Sequence, residues 1–347
     1  MAVTTKAHTA APADTRAKPV LAWAVVGALM LAFQLYVLGR WVFGSNFTST
    51  DAAGPDTVSD TTKAFYVALQ AAVTVATVVC LYFWVVRPWR REGRLTTDAM
   101  FAMAGAMLFF WDMSMNYTST ALFYNSNFVN FGAWANDAWP GWMSPGANLL
   151  PEPVFVAIPG YTCMVFSQAL IVLYLLRKAQ ARWPNLGSFA RAGIIICGCF
   201  VLDTIIESLL LRMDLYAYPG GIRAITLYAG HTYQLPLTES FFFGGLGVGS
   251  VAMLMHFRDD LGRTVVERGI ERVRYGERGK QAVRFFAIFG AVHVAFLVLY
   301  MVPNQWLSTH SDPYPKGYPS YLENGMCQYG PQHNLCPGPG VAIPREP

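Results

Sequence analysis

Apolar residues in this chain are gathered into long blocks rather than spread over alternating faces. An α-helix crossing roughly 30 Å of hydrocarbon needs about 20 predominantly apolar residues. Seven stretches meet that requirement: residues 20–39, 64–86, 99–117, 154–176, 189–211, 237–257 and 282–302. The third is the weakest, because Asp112, Ser114 and Asn116 interrupt it. The pattern predicts an all-α fold, a polytopic membrane helix bundle of about seven transmembrane helices.

The gaps between the blocks set its direction. Lys and Arg accumulate in cytoplasmic loops. Three lie in the N-terminal tail, four in 87–94, four in 177–191 and eight in 258–284, so 19 fall on one side against 6 on the other. The N-terminus is therefore expected in the cytoplasm and the C-terminus outside. Composition agrees: 13% of residues are charged, against about 25% in soluble domains. The net charge of +4 reports topology, and no basic run is interleaved with aromatics as a single-strand binder requires, so no nucleic-acid partner is expected. Lys18 leads into an apolar run without a small-residue cleavage site, and the first block reads as a signal anchor.

Three regions follow: a disordered Ala/Thr-rich tail (1–19), the transmembrane domain (20–302) and an external Pro/Gly-rich tail (303–347). Cys327 and Cys336 lie in that exported tail, where either a disulfide or two free thiols are permitted. Cys80, Cys163, Cys197 and Cys199 lie in spans as small packing residues. The polar loop 44–62 is a solvated connection. Loop 118–153 has no Lys or Arg and many aromatics, and reads as a lid over the bundle or as an aromatic belt. In 258–281, Leu261, Val265, Ile270 and Val273 recur at helical spacing. That predicts an amphipathic cytoplasmic helix resting on anionic membrane lipid, or else on a protein partner.

Ionisable groups at membrane depth are costly and are functional candidates by default. Five carboxylates qualify, Asp112, Glu152, Asp203, Glu207 and Glu239, and with the stated direction all fall in the outer half of the bundle. Asp203 and Glu207 are four apart, as are Asp112 and Asn116, so each pair shares a helical face. Two carboxylates held together away from bulk water do not both ionise easily, which has the form of a general acid beside a stabilising carboxylate. The catalytic candidates are Asp203, Glu207, Asp112 and Glu239. Asn116, Tyr117, Glu152, Tyr216, Tyr218, Arg223, Tyr228, His231 and Tyr233 are candidates for holding substrate oxygens, with Arg212 beside them. The bland alternative is that the acids pair with Arg212 and Arg223 or cap helices. His256 and His293 read as interhelical hydrogen-bonding groups. No Lys lies at mid-membrane, and the spans contain no HxxxH, ExxH or HExxH, so no metal or other cofactor is expected.

The run DTIIESLLLRMDLYAYPGGIRAITLYAGHTYQLPLTESFFFGG, with FRDDLGRTVVERGIE, FFWDMSMNY, NFGAW, SPGANLLPEP and CPGPGVAIP, resembles the spirocyclase family of avermectin biosynthesis, the AveC-like proteins. The resemblance runs from the first span onward. It implies a protein of the bacterial cytoplasmic membrane that closes a lipid-soluble, polyketide-like dihydroxy ketone into a spiroketal, with dehydratase activity in some members. It carries over no catalytic residues. Asp203 and Glu207 are expected as acid and stabilising pair, with Asp112 and Glu239 opposite. Polyketides are made in the cytoplasm whereas these acids lie towards the outside, so an amphiphilic substrate would arrive through the bilayer. A non-catalytic lipid- or polyketide-binding or transport protein is the alternative, and a structural subunit of a membrane complex is a third reading.

Overall fold

The computed structural model describes residues 19–51, 53–135 and 137–326. The expected disordered tail up to residue 18, the Cys327–Cys336 question and the CPGPGVAIP motif lie outside the described residues. Among the described residues, six helices are long and apolar enough to cross a membrane: α1 (Pro19–Val42), α2 (Asp60–Glu92), α4 (Val154–Arg182), α5 (Ser188–Arg212), α6 (Leu237–His256) and α7 (Glu277–Ser308).

The interrupted third block forms α3, ten residues of α-helix (Thr97–Ala106) that tighten into ten residues of 3₁₀ helix (Met107–Asn116). At about 1.5 and 2.0 Å per residue these pieces extend about 35 Å together, enough to cross. Hydrogen bonds along α7 show that they run in parallel with it. Arg284 donates to the Thr97 hydroxyl (2.8 Å), the His293 Nε2 lies 3.1 Å from the Ala104 carbonyl, and Gln305 donates to the Met115 carbonyl (2.8 Å). Every residue from Leu108 to Asn116 is buried, so α3 is the axis of the bundle rather than one of its walls.

The connections alternate between two ends. At one end Leu95 donates to Gln281, Arg258 pairs with Asp98 and Val20 donates to the Arg268 carbonyl. This end gathers the arginine-rich gaps. At the other, Thr50 meets Asn130, Asp56 meets Ser320, and strand Phe123–Tyr124 pairs antiparallel with Tyr216–Ala217. Loop 118–153 is packed into this second end: Trp134 is fully buried and donates to the Phe110 carbonyl (2.9 Å).

Pro88 and Pro303 each stand inside a long helix, two residues after a π-helical turn (Tyr82–Val86 and Leu297–Met301). Proline has no N–H to donate and its ring crowds the preceding carbonyls, and a widened turn absorbs both defects without ending the helix. This is why α7 continues past residue 302, where a tail was expected. Residues 309–326 then pack back over the bundle, with Tyr318 and Leu322 buried.

The expected amphipathic helix 258–281 is not formed. Gly262 and Gly269 adopt φ of +70° and +91°, which breaks the segment into turns and two short 3₁₀ pieces before α7 begins at Glu277. Of the four apolar residues at helical spacing, Ile270 and Val273 pack against Val20, Ala24 and Ala287, while Leu261 and Val265 are exposed. Glu267 is fully buried, caps its own turn through the Thr264 N–H (2.9 Å) and accepts from Arg284 (2.6 Å). A buried charge satisfied in this way holds a loop geometry that apolar periodicity does not report.

Helix α1 rests on α7 through two glycines. A Cβ on Gly27 would overlap the Phe286 carbonyl, and one on Gly290 would sit 2.6 Å from the Trp23 carbonyl. Small residues let membrane helices approach closely, and their van der Waals packing holds the pair. Gly27→Val is expected to lower the thermal midpoint in detergent by several degrees, since overpacking costs about 1–3 kcal/mol. Gly39→Val on the same helix, where nothing lies within 4 Å of the added Cβ, is expected to leave it unchanged. Equal midpoints for both variants would refute this contact.

Candidate active site

Strand Phe123–Tyr124 pairs with Tyr216–Ala217 in a register that sets Tyr124 opposite Tyr216. Beneath this pair lies a cavity of about 290 Å³, enclosed by α2, α3, α4, α5, α6 and α7 at the end of the bundle opposite the arginine-rich gaps. Asp112, Glu207 and Glu239 line it, from three different helices, together with Tyr124, Tyr161, Tyr216, Tyr218 and Tyr300. Among the described residues, no Lys, Arg or His lines it.

The acids are held by hydroxyl and amide donors. Tyr218 Oη lies 3.0 Å from Glu207 Oε2 and 3.2 Å from Glu239 Oε1. A phenol has one proton, so it can donate to one of these carboxyls and accept from the other only if that one is protonated. Tyr300 donates to Glu239 Oε1 at 2.7 Å, and Asn304 donates to its Oε2. Tyr161 donates to Asp112 Oδ1 at 2.6 Å. Each acid is more than nine-tenths buried. In such a setting a carboxylate is tolerable only where donors replace its hydration.

Tyr218 is set by its loop: its carbonyl accepts from Gln234 (3.0 Å) and from Tyr318 (3.1 Å). Burial, followed by the charges of Glu207 and Glu239, holds the Tyr218 hydroxyl well above its ordinary pKa, so it remains a donor. Glu239 stands in the first turn of α6, where the unpaired backbone N–H groups favour negative charge. The rest of the wall is apolar, and Val73, Ala76, Met164 and Ile206 reach from it to the bundle surface.

The other expected site residues are placed differently. Asp203 shares the buried face of α5 with Glu207, as its spacing predicts, but does not line the cavity. It accepts from Gln168 (3.2 Å) and packs against Gly244, where a Cβ would overlap its own. Glu207 is linked to Glu239 through the Tyr218 hydroxyl. Glu152 is fully buried beside the cavity, next to Asp112 and Tyr124. Asn116 accepts from the backbone N–H groups of Ala121 and Leu122 (2.9 and 3.0 Å) and closes the turn after α3. Tyr117 donates to the Gly141 carbonyl (2.8 Å).

Arg223, Tyr228 and His231 are exposed. Tyr228 and Tyr233 flank the Arg212 guanidinium at 4.5 and 4.6 Å, and His231 stacks on Tyr233. This is a surface cluster outside the cavity, and Arg212 pairs with rings rather than with the buried acids. His293 does join helices: its Nδ1 meets Gln34 of α1 (2.9 Å) and Trp111 of α3 (2.8 Å).

Tyr161, Tyr300 and Asn304 were not singled out from sequence. The available signal was a phenol or amide inside an apolar block, at the depth of the acids, with a polar group to satisfy. Tyr300 and Asn304 are also four residues apart, hence on one face.

No curated protein and no solved structure matches the chain. A family model does, described as Spirocyclase AveC-like, over residues 89–322. That span contains the three cavity acids and all five cavity tyrosines. The chain belongs to the AveC-like spirocyclase family.

Proposed function

We propose that this chain is a membrane-embedded acid–base cyclase that closes a lipid-soluble, polyketide-like dihydroxy ketone into a spiroketal in the acid- and tyrosine-lined cavity. The observation that carries the reading is the Tyr218 hydroxyl lying between Glu207 and Glu239, within hydrogen-bond distance of both. Glu239 receives Tyr218, Tyr300 and Asn304, and the scheme takes Glu239 as the stabilising carboxylate and Glu207 as the acid.

In this scheme one substrate hydroxyl adds to the ketone carbon and gives a hemiketal. Glu207 then protonates the hemiketal hydroxyl, the C–O bond breaks and water leaves. The oxocarbenium ion that remains lies among Glu239, Asp112 and the tyrosine oxygens. Negative groups fixed where cationic charge develops lower that barrier without reorganising. The second hydroxyl attacks the cation, and its proton returns to Glu207. The net change is loss of one water. The same acid and carboxylate would dehydrate a β-hydroxy ketone, which accommodates a dehydratase activity.

The apolar wall bears on the substrate. Val73, Ala76, Met164 and Ile206 connect the acids with the surface that faces lipid, and an alkyl chain fits that path. By the charge pattern this end faces outward, which suits a substrate dissolved in the bilayer.

The test uses purified protein with an alkyl-chain dihydroxy ketone, following the product by mass and by NMR of the ketal carbon. Glu207→Gln is expected to lower kcat by about 10²- to 10⁴-fold, the usual contribution of a general acid. Undiminished turnover in this variant would sink the assignment. Tyr218→Phe is expected to cost about 10- to 100-fold, the value of a hydrogen bond to a charged group. Tight binding without product in the wild type would favour a binding or transport protein instead.

A hydrophobic carbodiimide, which reacts with protonated carboxyls, is expected to label Glu207 faster than Asp203, because only the former lines the cavity. Peptide mass spectrometry reads the ratio, and faster labelling of Asp203 would reverse the roles given to these two acids.

A further inference from the structure

At the arginine-rich end of the bundle, remote from the acids, a second hollow of about 530 Å³ lies between the end of α2 and the start of α3. Half of its wall is apolar, with Phe83 and Trp84 from α2 and Phe166 and Leu170 from α4. The other half carries Arg87, Arg91, Arg94 and Arg258, against two acids, Glu92 and Asp98. Both acids are engaged: Asp98 with Arg258 at 2.5 Å, Glu92 with Arg94 at 3.5 Å. Among the described residues, Arg87 and Arg91 have no carboxylate within ion-pair distance. The Nε of Arg258 is buried, with no hydrogen-bond partner among the described residues. Thr97 and Asp98, the first residues of α3, also face the hollow and add the positive end of that helix.

We infer that this hollow binds an anionic phospholipid, with the phosphate against Arg87 and Arg91 and an acyl chain along Phe83, Trp84, Phe166 and Leu170. Guanidinium groups match phosphate oxygens bidentately. A free phosphate would use the charged half and leave the apolar half exposed, whereas a lipid covers both. The site lies where the apolar faces of α2 and α4 end, at the level where headgroups sit, and basic pockets between helices at this face suit anionic headgroups. The usual excess of positive charge in cytoplasmic loops does not require four arginines to converge on one hollow. The inference is independent of the reaction assigned to the acid cavity.

The test uses the full chain, delipidated in detergent, with its thermal midpoint followed by tryptophan fluorescence. The probes are dihexanoyl phosphatidylglycerol, dihexanoyl phosphatidylcholine and inorganic phosphate. Phosphatidylglycerol is expected to raise the midpoint saturably and phosphatidylcholine to leave it unmoved. Arg87→Gln with Arg91→Gln, both exposed side chains, is expected to raise the half-saturating concentration at least tenfold. Arg177→Gln with Arg182→Gln removes the same charge from the same end, outside the hollow, and is expected to leave that concentration unchanged. Equal weakening by both double variants would overturn the site in favour of diffuse surface attraction. An equal effect from phosphatidylcholine would remove the requirement for anionic charge, and an equal effect from inorganic phosphate would make this a free-anion site. Native mass spectrometry of the wild type supplies a check without substitutions: retention of phosphatidylglycerol over phosphatidylcholine is expected, and no preference would overturn the inference.

Discussion

Three carboxyl groups buried together without a cation are the constraint around which this molecule is arranged. Asp112, Glu207 and Glu239 come from α3, α5 and α6, and among the described residues no basic side chain lines their cavity. Buried charge of one sign is tolerable only where hydrogen-bond donors stand in for water. Those donors come from further elements: Tyr161 from α4, Tyr300 and Asn304 from α7, and Tyr218 from the loop after α5. Satisfying the acids therefore ties α3 to α4 and α6 to α7, and binds the loop down upon them.

The irregular parts of the fold serve the same arrangement. The 3₁₀ half of α3 carries Asp112 through the centre of the bundle. The glycine-rich π segment of α6, Phe241–Val248, lets Gly244 lie against Asp203, so that α5 and α6 approach closely below Glu207 and Glu239. Departures from ideal α-helix inside membrane proteins are tolerated where protein rather than lipid surrounds the backbone. Both departures here are interior. The outer helices α1 and α2, few of whose residues are buried in the bundle, are regular apart from the turn before Pro88.

The two hollows differ in chemistry. One, at the end with few cations, is acidic and hydroxylated with an apolar wall. The other, at the arginine-rich end, is basic with an apolar wall. Family membership assigns the chain to the AveC-like spirocyclases over residues 89–322, and the first hollow is the one in which three buried carboxyls meet tyrosine hydroxyls.

The sequence by itself determined the class of fold and the polar candidates, because both are one-dimensional properties. Hydrocarbon thickness sets a minimum length for an apolar block, and the blocks recur as the six long helices and the axial α3. The cost of burying charge singled out Asp112, Glu207 and Glu239 as residues needing a reason. Only the tertiary structure decided which acid meets which. Spacing of four put Asp203 and Glu207 on one face, but the rotation and depth of α6 pair Glu207 with Glu239 and leave Asp203 against Gly244. Tyr228 and His231, near the acids in sequence, are carried to the surface by a hairpin whose turn runs through Tyr228 and Gly230 at positive φ, and Arg223 by the short 3₁₀ turn before it. Segment 258–281 has helical periodicity, and over most of it two left-handed glycines with a buried Glu267–Arg284 pair outweigh it. Contacts between helices depend on rotation, depth and backbone irregularity together, and no single stretch of chain encodes all three.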